Sequence, residues 1–230
     1  MAKANFVKKA QKNIYVNGKV VKYKSEKGKR AGQELSKLDR TVPRNENDII
    51  IIHKGESYFW WQFKNGGKNF SKTRPKNSQL TQSNYLSQLY AIQERIEDIS
   101  ADDVSDLESI VDELKSDIES LKDETEESLS NMPESLQYSP TGELLQERID
   151  ALETALSELE DIDLDYEEPD EDDLREELKD DIDEDDLNIP DEDEERKSLV
   201  TDAMIKEKKQ EHLDEWIEEK IQEIQEVSFE

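Results

Sequence analysis

The stretch Val104-Ser-Asp-Leu-Glu-Ser-Ile-Val-Asp-Glu-Leu-Lys-Ser-Asp-Ile-Glu-Ser-Leu121 decides the fold. Val104, Leu107, Val111, Leu114, Ile118 and Leu121 recur at intervals of three and four residues, which places them along one stripe of an α-helix. Most other positions are acidic or serine, so the helix has one apolar seam and is marginal until something covers it. Downstream, Leu145, Ile149, Leu152, Leu156 and Leu159 repeat the spacing, and Met132-Pro133 and Ser139-Pro140-Thr141-Gly142 interrupt the chain between the two runs. Two arms joined by a proline-containing connector predict an acidic antiparallel helical hairpin, coiled-coil-like, over residues 81–162. Its seam closes either within one chain or against a second copy as a homo-oligomer. Upstream, Tyr85/Leu86, Leu89, Ile92, Ile96 and Ile99 keep the same period. The seam slips at Ser100 to Asp103, which resembles a fresh helix cap and predicts a kink or break.

Toward the C-terminus, residues 163–195 are the most acidic part of the chain, with Pro169 and Pro190 and few large apolar side chains. Nothing there offsets the entropy of ordering the backbone, so a disordered linker is expected. Residues 196–230 regain helical character, with Ala203, Leu213, Trp216, Ile217, Ile221 and Ile224 as a stripe that docks a C-terminal helix on the hairpin.

Toward the N-terminus the period changes to two. Asn17-Gly18 favours a type I′ turn and predicts a hairpin between Ile14–Val16 and Lys19–Val21. Residues 22–47, with KYKSEKGKR and Pro43, read as a mobile arm. Ile49–Ile52 is β-branched on both faces, as in a covered central strand; Lys54-Gly55-Glu56 turns it into Ser57–Lys64, and Asn65-Gly66-Gly67 leads to a short strand around Phe70. The fold class is therefore α+β: a small basic antiparallel β module over 1–80, then acidic helices.

Charge divides the chain in the same place. Residues 1–90 carry 19 Lys/Arg and 6 Asp/Glu, a net of +13, while residues 91–230 carry 12 and 54, a net of −42. Such asymmetry points to nucleic acid on the basic side and to a solvated or partner-facing surface on the acidic side. There is no cysteine, which removes disulfides and thiolate metal sites, and no apolar run of spanning length. A soluble intracellular protein with no membrane association and no cofactor is expected.

The stretch from His53 to Lys68, HKGESYFWWQFKNGGK, holds two of the three tryptophans. Strand alternation puts Phe59, Trp61 and Phe63 on one face, the natural core, and Tyr58, Trp60, Gln62 and Lys64 on the other. Rings beside cations are the composition of a surface on which bases stack while lysines follow phosphates. Tyr58, Trp60, Lys64, Lys68, Lys72, Arg74 and Lys76 are accordingly the candidate nucleic-acid-binding residues. The alternative reading covers Tyr58 and Trp60 with the helix that begins near Ser83, which removes stacking and leaves the phosphate attraction.

Other patterns are weaker. Asp161, Asp163 and Asp165 imitate half a calcium loop, but Tyr166 stands where that loop needs glycine. Asp48 with Gln62 and Lys64 resembles the arrangement of some metal-dependent nucleases, though one carboxylate is few oxygen ligands for a metal. His53 and His212 have no partner at ligand spacing. Gly66-Gly67-Lys68-Asn69 lacks the leading glycine and hydroxyl residue of a phosphate loop.

GESYFWWQFKNGGKNFSKTRPKNSQLTQS, together with NMPESLQYSPTGELLQERIDALETALSELE, resembles uncharacterised accessory proteins of tailed phages and their bacterial hosts. The likeness spans roughly residues 50–162. It implies a bacterial cytoplasm and a role in phage biology, and it brings no activity or site residues. Three functions follow in order: a non-enzymatic protein that binds single-stranded DNA or RNA through its basic module and a partner through its helices; an acidic DNA mimic that occupies the cleft of a basic host enzyme; and a metal-dependent nuclease.

Overall fold

The computed structural model describes residues 1–24, 34–64, 66–181 and 200–229, and divides the chain into two units, Met1–Ala91 and Ile92–Glu230. It is an α+β protein in which small antiparallel sheets precede the helices.

Among its described residues the first unit holds seven strands: β1 (Asn5–Val7), β2 (Ile14–Tyr15), β3 (Lys19–Lys24), β4 (Glu34–Asp39), β5 (Ile50–Ile52), β6 (Tyr58–Gln62) and β7 (Lys68–Ser71). They form three antiparallel sheets, β1-β6-β7, β2-β5 and β3-β4. The β6–β7 hairpin forms where the Gly66-Gly67 turn predicts it, with Trp60 opposite Phe70 and Gln62 opposite Lys68. The pairing of β1 with β6 was not foreseen, because three residues in a polar N-terminus give too short a pattern to read.

Three expectations are corrected by the strand pairing. Asn17-Gly18 does not close a β2–β3 hairpin. Gly18 takes the positive φ of +63°, but Asn17 does not, as a type I′ turn requires, and the Asp48 carboxylate draws the chain aside. It accepts hydrogen bonds from the backbone N–H groups of Asn17, Gly18 and Arg44 at 3.1, 3.0 and 2.9 Å. β2 then pairs with β5, and β3 pairs with β4 over six residues in unbroken register from Lys19 opposite Asp39 to Lys24 opposite Glu34. The arm expected over 22–47 is thus strand at Lys22–Lys24 and Glu34–Asp39; residues 25–33 lie outside the described residues. Nor is β5 a central strand: it pairs only with β2, and Ile49 just before it is 68% exposed, while Ile52 is sealed in a cluster with Ala10 and Ile14.

In the second unit, α1 (Asn84–Glu97) contributes its C-terminal end and is followed by α2 (Val104–Ser130), α3 (Glu134–Gln137), α4 (Pro140–Glu160), α5 (Glu171–Asp181) and α6 (Asp202–Gln225). The chain breaks between α1 and α2 where the seam slips, and the Asp103 side chain accepts from the Asp106 N–H at 2.8 Å as the cap of α2. α2 and α4 pack as the antiparallel hairpin within one chain. Leu107, Val111, Leu114, Ile118 and Leu121 are buried, as are Ile149, Leu152, Ala155 and Leu159, and Lys122 reaches Glu153 at 3.2 Å across the pair. Ala155 takes the core place that the spacing gave to Leu156, which is only half-buried.

The region 163–195 is also corrected in part. Residues 162–170 are extended coil, but α5 follows, and 182–195 lie outside the described residues. Leu174 and Leu178 of α5 pack with Val200 and Ile205, while Lys208 and Lys209 of α6 pair with Glu177, Glu168 and Glu171. That apolar cluster and a cationic edge on α6 order a segment whose own composition would not. The stripe on α6 buries Ile217 and Ile224, half-buries Leu213, Trp216 and Ile221, and leaves Ala203 exposed; Ile205 replaces it. The helix end docks as expected: Gln225 donates to the carbonyls of Ile96 and Glu97, and Glu158 accepts from the Ser228 N–H at 2.8 Å.

Candidate nucleic-acid interface

The register of β6 with β7 brings Tyr58, Trp60, Gln62, Lys68 and Phe70 to one face of the first sheet. Of the opposite face, Trp61 is buried, with its indole N–H unpartnered among the described residues, and Phe59 is half-buried against Phe6 at 5.1 Å. Phe6 is itself 59% exposed, so the face expected to be all core is sealed only around Trp61.

Trp60 is half-buried, and the Lys68 ammonium stands 4.5 Å from its ring centroid. Tyr58 is turned inward: its ring lies 6.0 Å from Phe70 and packs on the Ala10, Ile14 and Ile52 cluster. It forms the floor of the site and is not a free stacking platform. The cover comes from the β2–β5 cluster, because the chain after β5 turns at Gly55 and lays β6 against it.

Between this face and the end of β4 runs a cleft of about 470 Å³. Tyr58, Phe70 and Lys68 line one side, and Lys37, Arg40 and Thr41 line the other. Arg40 is held from its backbone: its carbonyl accepts from the Tyr15 N–H at 2.8 Å, and a Cβ on Gly18 would come within 2.6 Å of its Cα. From there the guanidinium lies 5.9 Å from the Phe70 ring centroid. Its Nε is buried and has no hydrogen-bond partner among the described residues. A buried donor without an acceptor calls for an explanation, and an anion in the cleft supplies one. Asp39 is the one carboxylate at the cleft edge. It accepts from the Thr41 hydroxyl at 2.7 Å and N–H at 2.9 Å, which hold its carboxyl below the usual range, with Lys37 and Lys12 adding to the effect.

The remaining candidates lie elsewhere. Lys72 pairs with Glu56 at 3.0 Å, and Glu56 is held below its usual range first by the His53 N–H and then by Lys72. Lys64 borders a separate hollow with Met1, Ala2 and Leu80. Arg74 and Lys76 are exposed on the segment after β7, where the Lys76 N–H donates to Gln79 Oε1 at 3.3 Å. The structure thus brings Tyr58 and Lys68 to the cleft and leaves Trp60 beside it under the Lys68 ammonium, while Lys64, Lys72, Arg74 and Lys76 do not line it. Lys37, Arg40 and Phe70 were missed. Phe70 was placed on a strand but not in the site; the only signal for Lys37 and Arg40 was the polar run before Pro43, to which Leu35 and Leu38, three apart, gave no strand alternation.

The nuclease-like residues do not converge as that chemistry needs. Both Asp48 oxygens serve the turn described above, and Gln62 donates its amide to the Gly66 carbonyl at 3.0 Å. Among the described residues no three histidines and carboxylates gather at metal-binding distance, and no helix is long and apolar enough to cross a membrane. No family model matches the chain, and no curated protein or solved structure is significantly similar to it.

Proposed function

We propose that the first unit binds single-stranded DNA or RNA without catalysis, taking the strand into the cleft between β4 and the β6–β7 hairpin. The observation that carries this reading is Arg40, whose guanidinium lies 5.9 Å from the Phe70 ring centroid with a buried Nε that has no partner among the described residues, in a cleft that Lys68 also lines from its place over Trp60. Arg40, Lys37 and Lys68 meet phosphates, and Trp60 meets a base. Lys68 occupies one face of that ring, but an exposed cation–π contact is worth about 0.5–1 kcal/mol and base stacking about 1–3 kcal/mol. A base therefore displaces the ammonium, which moves to the adjacent phosphate. In this reading the acidic helices face a partner, and the phage resemblance supports a bacterial cytoplasm.

The test is anisotropy of a labelled oligothymidine and of a duplex of the same length. The single strand binds more tightly, and Trp60→Ala lowers its affinity by about 1–3 kcal/mol while leaving the weaker duplex binding unchanged. Equal loss on both probes removes the stacking role. A second reading, mimicry of DNA by the hairpin, is favoured by the exposed carboxylates Glu108, Asp112, Glu119 and Asp123 along the outside of α2. Recovery of a basic nucleic-acid enzyme on the full chain after nuclease treatment would support that reading.

A further inference from the structure

The second unit contains a hollow of about 510 Å³ between the coil that follows α4 and the middle of α6. Its walls include Tyr166 and Trp216, whose ring centroids are 5.3 Å apart with planes inclined at 57°. Asp165, Glu167, Glu215 and Glu219 stand around the rings. Neighbouring carboxylates are compensated, Glu168 and Glu171 by Lys209 and Glu177 by Lys208. The four at the hollow have no ion pair among the described residues. The Tyr166 hydroxyl is buried and unpartnered among those residues as well, so packing rather than a hydrogen bond holds that ring.

Rings in a tilted pair, a half-buried indole and uncompensated negative charge together specify a cation with an apolar face. A metal ion fits poorly, because no three of these carboxylates gather closely enough to share one. A planar guanidinium fits best: it stacks on an aromatic face while its edge donates to carboxylates, whereas an ammonium keeps its hydration. We infer that this hollow receives an arginine side chain of a basic partner protein, with the guanidinium on Trp216 and its N–H groups directed to Glu215 and Glu219. This gives the acidic unit a specific contact in place of diffuse attraction, and it is independent of nucleic-acid binding by the first unit.

The full chain, labelled with nitrogen-15 at its indoles, is titrated with a blocked Gly-Arg-Gly peptide and with its neutral isostere containing citrulline. The Trp216 resonance, assigned by its loss in Trp216→Phe, shifts saturably with the arginine peptide and at least about 3-fold more weakly with the citrulline one. In calorimetry with a peptide of three arginines, Trp216→Ala and Glu219→Gln each lower affinity about 3- to 30-fold, while Trp216→Phe retains most of it and Glu147→Gln, exposed on α4, changes nothing. Equal binding of the citrulline peptide, an unchanged affinity in natively helical Glu219→Gln, or an equal loss in Glu147→Gln would each overturn the inference. Should Trp216→Ala fail to fold, Glu219→Gln and the isostere pair still decide it.

Discussion

Asp48 shows how one side chain can redirect a local preference. Asn17-Gly18 has hairpin chemistry, yet three backbone N–H groups converge on this carboxylate and send β2 and β3 to different partners. Those bonds, the Arg44 N–H foremost, hold the Asp48 carboxyl below its usual range. Because its pKa is lowered in the folded state, the stability it supplies is complete above the unfolded value near about pH 4 and is lost as pH falls through the folded value. Thermal melts at pH 7, 4 and 3 should show Asp48→Asn less stable than the wild type at neutral pH, with the gap narrowing in acid. A constant gap across that range would mean that the charge on Asp48 is not what the turn uses. Arg40 depends on the same local arrangement, since Gly18 packs against the Arg40 backbone.

At the level of elements, the long helices follow from their own periodicity, and the short strands do not. The stripes over Leu107–Leu121 and Ile149–Leu159 each repeat often enough to outweigh any single polar interruption. Gly142 adds a constraint that spacing alone could not show. A Cβ there would collide with the carbonyl oxygen and carbon of Gln137, backbone atoms that cannot rotate away. Gly142→Ala should therefore lower the stability of the hairpin by about 1–3 kcal/mol in urea unfolding, as overpacking does. A loss below about 0.5 kcal/mol would show that the connector yields. β4 and α5, and the partner of β3, were illegible for a shared reason: the residues that hold them lie well away in sequence. Lys24 and Glu34 face each other only once the register from Lys19 to Asp39 is set, and α5 is held by Lys208 and Lys209, some thirty residues away. The candidate site was legible to the same extent. The face of β6 and its aromatic content were readable, whereas Arg40 and Lys37 come from β4 and the turn after it.

For the whole molecule, composition already divides the charge: +13 in residues 1–90 and −42 in the remainder. In the proposed reading the carboxylates, on the same chain as the cleft, compete with phosphates for its cations, so affinity for a strand should be modest and strongly dependent on salt. The most direct test is the salt dependence of oligothymidine binding by the full chain and by Arg40→Ala, measured between 50 and 200 mM salt. Three phosphates neutralised by Lys37, Arg40 and Lys68 predict a log–log slope of about −2, hence a roughly 20-fold loss of affinity across that range, and a slope shallower by about 0.7 in Arg40→Ala. Binding that ignores salt, or a slope that Arg40→Ala leaves unchanged, would contradict the assignment of the cleft to nucleic acid.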